Sequence, residues 1–145
     1  MSGIIVGIDG SDNAQPALDW AVREAALRAV PLTVITVKET VASYWTGRPV
    51  VFEADAELLE KARKSAESAV SKAVADLGGD PPPLVLVEAV EGFSAQILID
   101  ASRHAELLVV GTRGGGGFAR LSLGAVASKV LHHSHCPVVL VPHAR

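Results

Sequence analysis

One alternation narrows what this chain can fold into more than any other feature. Five short, β-branched apolar runs are separated by segments whose apolar residues recur at helical spacing. The runs are IIVGID (Ile4 to Asp9), LTVITV (Leu32 to Val37), LVLVE (Leu84 to Glu88), LLVVG (Leu107 to Gly111) and VVLVP (Val138 to Pro142). Most are apolar at consecutive positions, the pattern of parallel strands covered on both faces. Only 4% of the chain is aromatic, so its core has to be built from Val, Leu, Ile and Ala, which suits a sheet under Ala-rich helices.

The intervening segments predict four helices. Ala17, Leu18, Ala21, Val22, Ala25 and Ala26 form one apolar stripe, with Asn13 as its expected N-cap and Pro16 in the first turn, where no helical N–H is needed. Leu58, Ala62, Ala66, Ala69, Ala73 and Leu77 form a second, ended by Gly78-Gly79. Ile97, Leu98 and Ala101 mark a shorter third helix capped by Ser94, and Val126, Val130 and Leu131 mark the fourth. Lys38 to Phe52 reads as a long connection, with Tyr44 and Trp45 as a flap, a partner surface or ordinary packing. GGDPPP (Gly78 to Pro83) is a stiff connector, too short to link separate domains. The 145 residues therefore predict a single α/β domain over 1–145, an open parallel sheet with right-handed crossovers. Such sheets bind ligands beyond the carboxyl ends of their strands. The residues to watch are Asp9-Gly10-Ser11, Val37, and Gly111 onward.

Composition removes several function classes. One cysteine, Cys136, excludes an internal disulfide and fits a reducing cytoplasm. MSGIIVGID has neither the basic nor the long apolar part of a secretory leader, and no run reaches membrane-span length. A net charge of -3 argues against a general nucleic-acid binder. The charge is uneven: no carboxylate side chain follows Glu106, and the tail carries Arg113, Arg120, Lys129, Arg145 and four histidines.

That acid-free tail holds GTRGGGGFARLSLGAVASKVL, from Gly111. A Walker phosphate loop fails here, because Ala125 follows Gly124 and Lys129 comes after Ser128. A dinucleotide fingerprint is formally met by Gly114, Gly116 and Ala119, but it follows the wrong strand and lacks the later acid. The remaining pattern is Gly111-x-x-Gly114, nine residues, then Gly124. Gly111 and Gly114 let the chain turn off its strand without a Cβ in the way, and Gly124 opens a helix whose first amides face an anion.

With VGIDGSDNAQPALDWAV at one end and AELLVVGTRGGGGFARLSLGAVASKVLHHSHCPVVLVP at the other, the chain resembles the universal stress proteins over essentially its whole length. The resemblance implies a doubly wound fold of five parallel strands in the order 3-2-1-4-5, with helices on both faces. It implies a nucleotide site in which Asp9 and Gly10 meet the ribose or adenine and Val37 lines the adenine pocket. Gly111, Arg113, Gly114, Gly124, Ala125, Val126 and Ala127 would surround the phosphates, with ATP as ligand, with or without Mg²⁺. It also implies a homodimer through the last strand, Val138 to Val141, and a cytoplasmic role in stress survival. One departure stands out: ATP-binding members usually carry hydroxyl residues where this chain has Ala125 and Ala127. Two absent hydroxyls weaken triphosphate binding by about ten- to hundredfold. ATP stays the expected ligand; AMP or a cyclic nucleotide would also tolerate their absence.

Other motifs point less far. GIDGSD resembles the start of an aspartate-nucleophile phosphatase, but Ser11 stands where the second Asp belongs. HHSHC (His132 to Cys136) contains metal-ligand types, yet adjacent helical side chains diverge by about 100°. Cys136, before Pro137, reads as small core packing. No base is paired with a nucleophile, so the expectation is a non-enzymatic sensor or regulator with at most slow, incidental ATP hydrolysis. The alternative is a dimerisation and interaction module of the same fold that binds no nucleotide.

Overall fold

The computed structural model describes residues 2–9, 14–39, 41–45, 48–52, 56–112 and 124–142. β1 (Gly3–Ile8) leads into α1 (Gln15–Arg28) and β2 (Leu32–Glu39). A small antiparallel pair, β3 (Val41–Trp45) and β4 (Arg48–Phe52), precedes α2 (Ala56–Ala75). Then come β5 (Val85–Gly92), α3 (Ser94–Ala101) with a 3-10 turn at Ser102–His104, β6 (Ala105–Gly111), α4 (Ala125–His133) and β7 (Val138–Val141). The five long-range strands form one parallel sheet ordered β5-β2-β1-β6-β7, which is the expected 3-2-1-4-5.

The helices divide between the two faces. Those of one face pack on Ile4, Val6, Ile8, Leu32, Val34, Leu107 and Val109; the first helical stripe is buried there as expected at Ala17, Leu18, Ala21, Val22 and Ala25. α2 joins it through Ala66, Val70 and Ala73, and the Gln15 amide of α1 donates to Asp19 within its own helix and to the Ala69 carbonyl of α2. On the opposite face Ile35, Val37, Leu108 and Val110 meet Leu98 and Ile99 of α3 and Ala127 and Val130 of α4.

Some local expectations need correction. Lys38 to Phe52 is no plain connection: it ends β2 and forms the β3–β4 pair. The side chains of Tyr44 and Trp45 lie outside the described ones, so their expected flap role does too. Ser94 is not the cap of α3. Phe93 holds that position in extended conformation, and Ser94 opens the helix with its N–H donated to Glu39 Oε1 (3.2 Å). Asn13 lies outside the described residues, and Ala14 occupies the cap position of α1. Leu131 is 46% exposed, and Ala127 takes its place in the core. Leu58 is likewise 46% exposed, so α2 buries a narrower stripe than its sequence suggests.

Candidate functional site

β1 and β6 are neighbours in the sheet, yet the helices that follow them go to opposite faces. The chain therefore parts at their carboxyl ends, and a crevice opens at this switch point. Asp9 leaves β1 there, Gly111 ends β6, and Val37 sits near the end of β2. The floor between them is low because position 7 is glycine. A Cβ on Gly7 would stand 2.6 Å from Leu98 Cδ1, so α3 approaches β1 closely only over a bare backbone.

The far wall is the start of α4. Gly124 is its N-cap, extended and without a side-chain cap. The Gly124 N–H donates to the Thr112 carbonyl (2.7 Å), and the Thr112 N–H donates to Val141 of β7 (3.1 Å). These bonds join both ends of the glycine stretch to the sheet. They also engage the Gly124 amide, which the sequence pattern leaves open to a ligand. The first bond inside the helix runs from Ser128 N–H to the Gly124 carbonyl (2.9 Å). The amides of Ala125, Val126 and Ala127 therefore form the open first turn, where helical geometry supplies no acceptor and the dipole favours negative charge. The two alanines differ: Ala125 is exposed at the rim, whereas Ala127 is buried in the core beneath.

Between these walls lies a cavity of about 170 Å³. It contains seven of the ten residues expected from sequence: Asp9, Val37, Gly111, Gly124, Ala125, Val126 and Ala127. The other three, Gly10, Arg113 and Gly114, lie outside the described residues. A second cleft of about 410 Å³, between the α1–α2 side and β2, shares Ile8, Asp9, Ala14 and Val37 with the first. Together they fall in the range of about 300–1,000 Å³ typical of small-molecule sites. Sequence reasoning misses Gly7, Ser94 and Leu98. Ser94 reads as a cap and Leu98 as a core stripe, and nothing in the sequence says that the start of α3 crosses the end of β1.

Asp9 is the one ionisable group and Ser94 the one hydroxyl among the described residues lining the first cavity. The rest is main chain and apolar side chains. Such a site can hold a flat apolar group against Val37, Leu98 and Val110 and an anion at the α4 amides. It has no paired base and nucleophile among these residues. No three His, Cys, Asp or Glu among the described residues stand together as metal ligands. The His132 and His133 rings diverge, with centroids 6.5 Å apart, and His132 Nδ1 lies 2.7 Å from the Ser128 carbonyl oxygen. Cys136 is half-buried, its Sγ 3.4 Å from the Pro137 carbonyl oxygen. No helix among the described residues is long and apolar enough to cross a membrane.

Comparison with known proteins places this geometry. The model of the universal stress protein family matches residues 1–142. A universal stress protein of Mycobacterium tuberculosis is 38% identical over 146 residues, covering 96% of this chain and 47% of the relative. One from Mycolicibacterium smegmatis is 38% identical over 143 residues, with the same shares covered, 96% and 47%. The chain thus spans about half the length of the curated relatives it matches. Among solved structures, universal stress protein UspA from Lactobacillus plantarum matches with a TM-score of 0.75 and 25% identity over 97% of each chain. A universal stress protein in complex with cAMP gives 0.68 at 23% identity, covering 99% of this chain and 98% of the other. The Archaeoglobus fulgidus protein in complex with dAMP gives 0.62 at 23%, covering 97% and 98%.

Proposed function

Because the chain belongs to the universal stress protein family, we propose that it binds an adenine nucleotide in the switch-point cavity and acts as a cytoplasmic stress-response sensor or regulator, not as an enzyme. One observation carries this reading: the open first turn of α4 faces an apolar cavity whose one described carboxylate, Asp9, stands at the exit of β1. The base would rest against Val37, Asp9 would accept from ribose hydroxyls, and the amides of Ala125, Val126 and Ala127 would meet phosphate. The relatives solved with cAMP and dAMP support a ligand of this class.

With alanine at 125 and 127, nucleotide phosphate is held by main-chain amides and by few side-chain donors among the described residues. That favours a monophosphate or cyclic nucleotide relative to ATP. Any Mg²⁺ would ride on the phosphates and water, since Asp9 is the one carboxylate in the described lining. The half-buried residues of β7, Val138 to Val141, lie at a sheet edge, and a homodimer pairing these edges would satisfy it.

The test is direct. Denaturing freshly purified protein should release an adenine nucleotide, identified by mass. Stripped protein should then melt higher with AMP, cAMP or ATP, since ligand at about 100 times its Kd adds about 2.7 kcal/mol of stability. That amounts to several degrees in a domain of this size. Millimolar nucleotide that neither binds nor shifts the melt defeats the sensor reading and leaves a nucleotide-free interaction module.

A further inference from the structure

A third concavity lies away from the switch point, between the outer sides of α3 and α4, with a volume of about 670 Å³. Ile99 and Ala95 lie at its base, and Phe93 stands beside them with 61% of its surface exposed. The ionisable groups that line it, among the described residues, are all basic: Lys129, His133 and His135. One end is pinned. The His135 N–H donates to Ser102 Oγ (2.9 Å), and that buried hydroxyl donates to the Ile99 carbonyl (2.6 Å), so the ends of the two helices are tied together. Asp100, one turn along α3, has its carboxylate taken up by the Gln96 amide (2.9 Å).

Phe93 is costly where it stands. It is the N-cap of α3 and makes no side-chain cap hydrogen bond. Ser, Thr, Asp or Asn there would stabilise the helix start by satisfying an amide that Phe leaves to others. An exposed aromatic at a position that favours a small polar residue, beside a groove lined by basic and apolar residues and Gln96, fits a binding role better than a folding role. We propose that this groove docks a short acidic segment of a partner protein, its apolar side chain seated between Phe93 and Ile99 and its carboxylates on Lys129, His133 and His135. Charge complementarity selects this occupant: the lining offers the Lys129 cation, two imidazoles and an aromatic face, and no described carboxylate. The inference does not depend on the nucleotide reading.

The experiment is a selection of random displayed peptides on the intact chain, followed by fluorescence anisotropy of the resynthesised winners. Acidic peptides with a Leu, Phe or Trp anchor should be enriched. Phe93→Ser should retain or raise thermal stability, because Ser is a good cap, yet weaken these peptides by about tenfold. Lys129→Glu should weaken them by at least about tenfold and shift a repeated selection toward basic peptides. Any of four results overturns the proposal: no peptide sensitive to either substitution, winners without acidic residues, tighter binding of labelled oligo(dT) than of the peptides, or self-association that both substitutions abolish. The last two would assign the groove to single-stranded nucleic acid or to a second copy of the chain.

Discussion

The two faces of the sheet are unequal. One is covered by helices of 14 and 20 residues and contributes sixteen buried residues to its core, among those described. The other is covered by helices of 8 and 9 residues and contributes eight. β1 records the difference: Ile4, Val6 and Ile8, toward the long helices, are buried, whereas Ile5 and Gly7, toward the short ones, are half-buried. Both the switch-point cavity and the basic groove lie against the short helices. A close-packed interior has no room for a ligand. The larger core lies on one face, while the switch-point cavity and the basic groove lie against the other; the cleft beside α1 and α2 is the concavity of the thick face.

The largest expected effect tests that division. Leu32 is 0% exposed within the thick face and borders neither the switch-point cavity nor the cleft beside α2, and Leu32→Ala should remove about 3–4 kcal/mol in urea unfolding. Leu98 is 3% exposed but borders a cavity, so Leu98→Ala enlarges an existing space and should cost about 2 kcal/mol. Equal losses would mean the faces bear equal loads. Next in size is Gly7→Ala, whose methyl would meet Leu98 Cδ1 at 2.6 Å and Cδ2 at 2.9 Å. It should cost about 1–3 kcal/mol and weaken nucleotide binding by pushing Leu98 into the cavity. In the Leu98→Ala background most of that cost should vanish, because the clash has lost its partner. A Gly7→Ala penalty that persists there would locate the strain in the backbone instead.

The same asymmetry explains what could be read from sequence. The open parallel sheet follows from five apolar runs and the helical stripes between them, and its strand order from the resemblance to the universal stress proteins. Main-chain features of the site are also legible, because Gly111 and Gly124 announce themselves. Coverage is not. IIVGID reads as buried on both sides; the spacing marks the third helix as short, but nothing in it says that this helix lies over Ile5 and Gly7 and leaves them half-buried. Phe93 and Ser94 exchange roles for a related reason: a cap is recognised by its side chain, and here the helix start draws on Glu39 from a different strand, 55 residues earlier. Helical spacing places Leu131 in the core, but its helix lies at the edge of the thin face and leaves it half in solvent.

A smaller effect separates two substitutions that look alike in sequence. Ala125→Ser adds a hydroxyl at the exposed rim of the cavity, where it can donate to phosphate, and should tighten ATP by about tenfold. Ala127 is 3% exposed, so Ala127→Ser buries its hydroxyl in an apolar cluster and should destabilise the fold by about 1–2 kcal/mol, with little gain in affinity. Isothermal titration and thermal melts of both variants make the comparison. If Ala125→Ser leaves ATP affinity unchanged, the phosphates do not lie at the start of α4.

The smallest effect lies on the outer surface of the thick face, where α2 meets water. Arg63 donates to Glu60 through Nε (3.0 Å) and Nη2 and to Glu67 through Nη1. The hydrogen bond from Arg63 holds the Glu60 carboxyl below its ordinary value, with the nearby charges of Arg63 and Lys64 acting in the same direction. A lowered folded-state value means that the unfolded chain takes up the proton first as pH falls. The stabilisation is therefore complete above the ordinary glutamate range and is lost as pH falls through the folded value. Glu60→Gln should lower Tm slightly at neutral pH and not at all at acid pH, and added salt should shrink the neutral gap, because all three side chains are exposed. A gap that survives both acid and salt would make Glu60 a packing residue, and the thick face would then owe some of its stability to its surface as well as to its core.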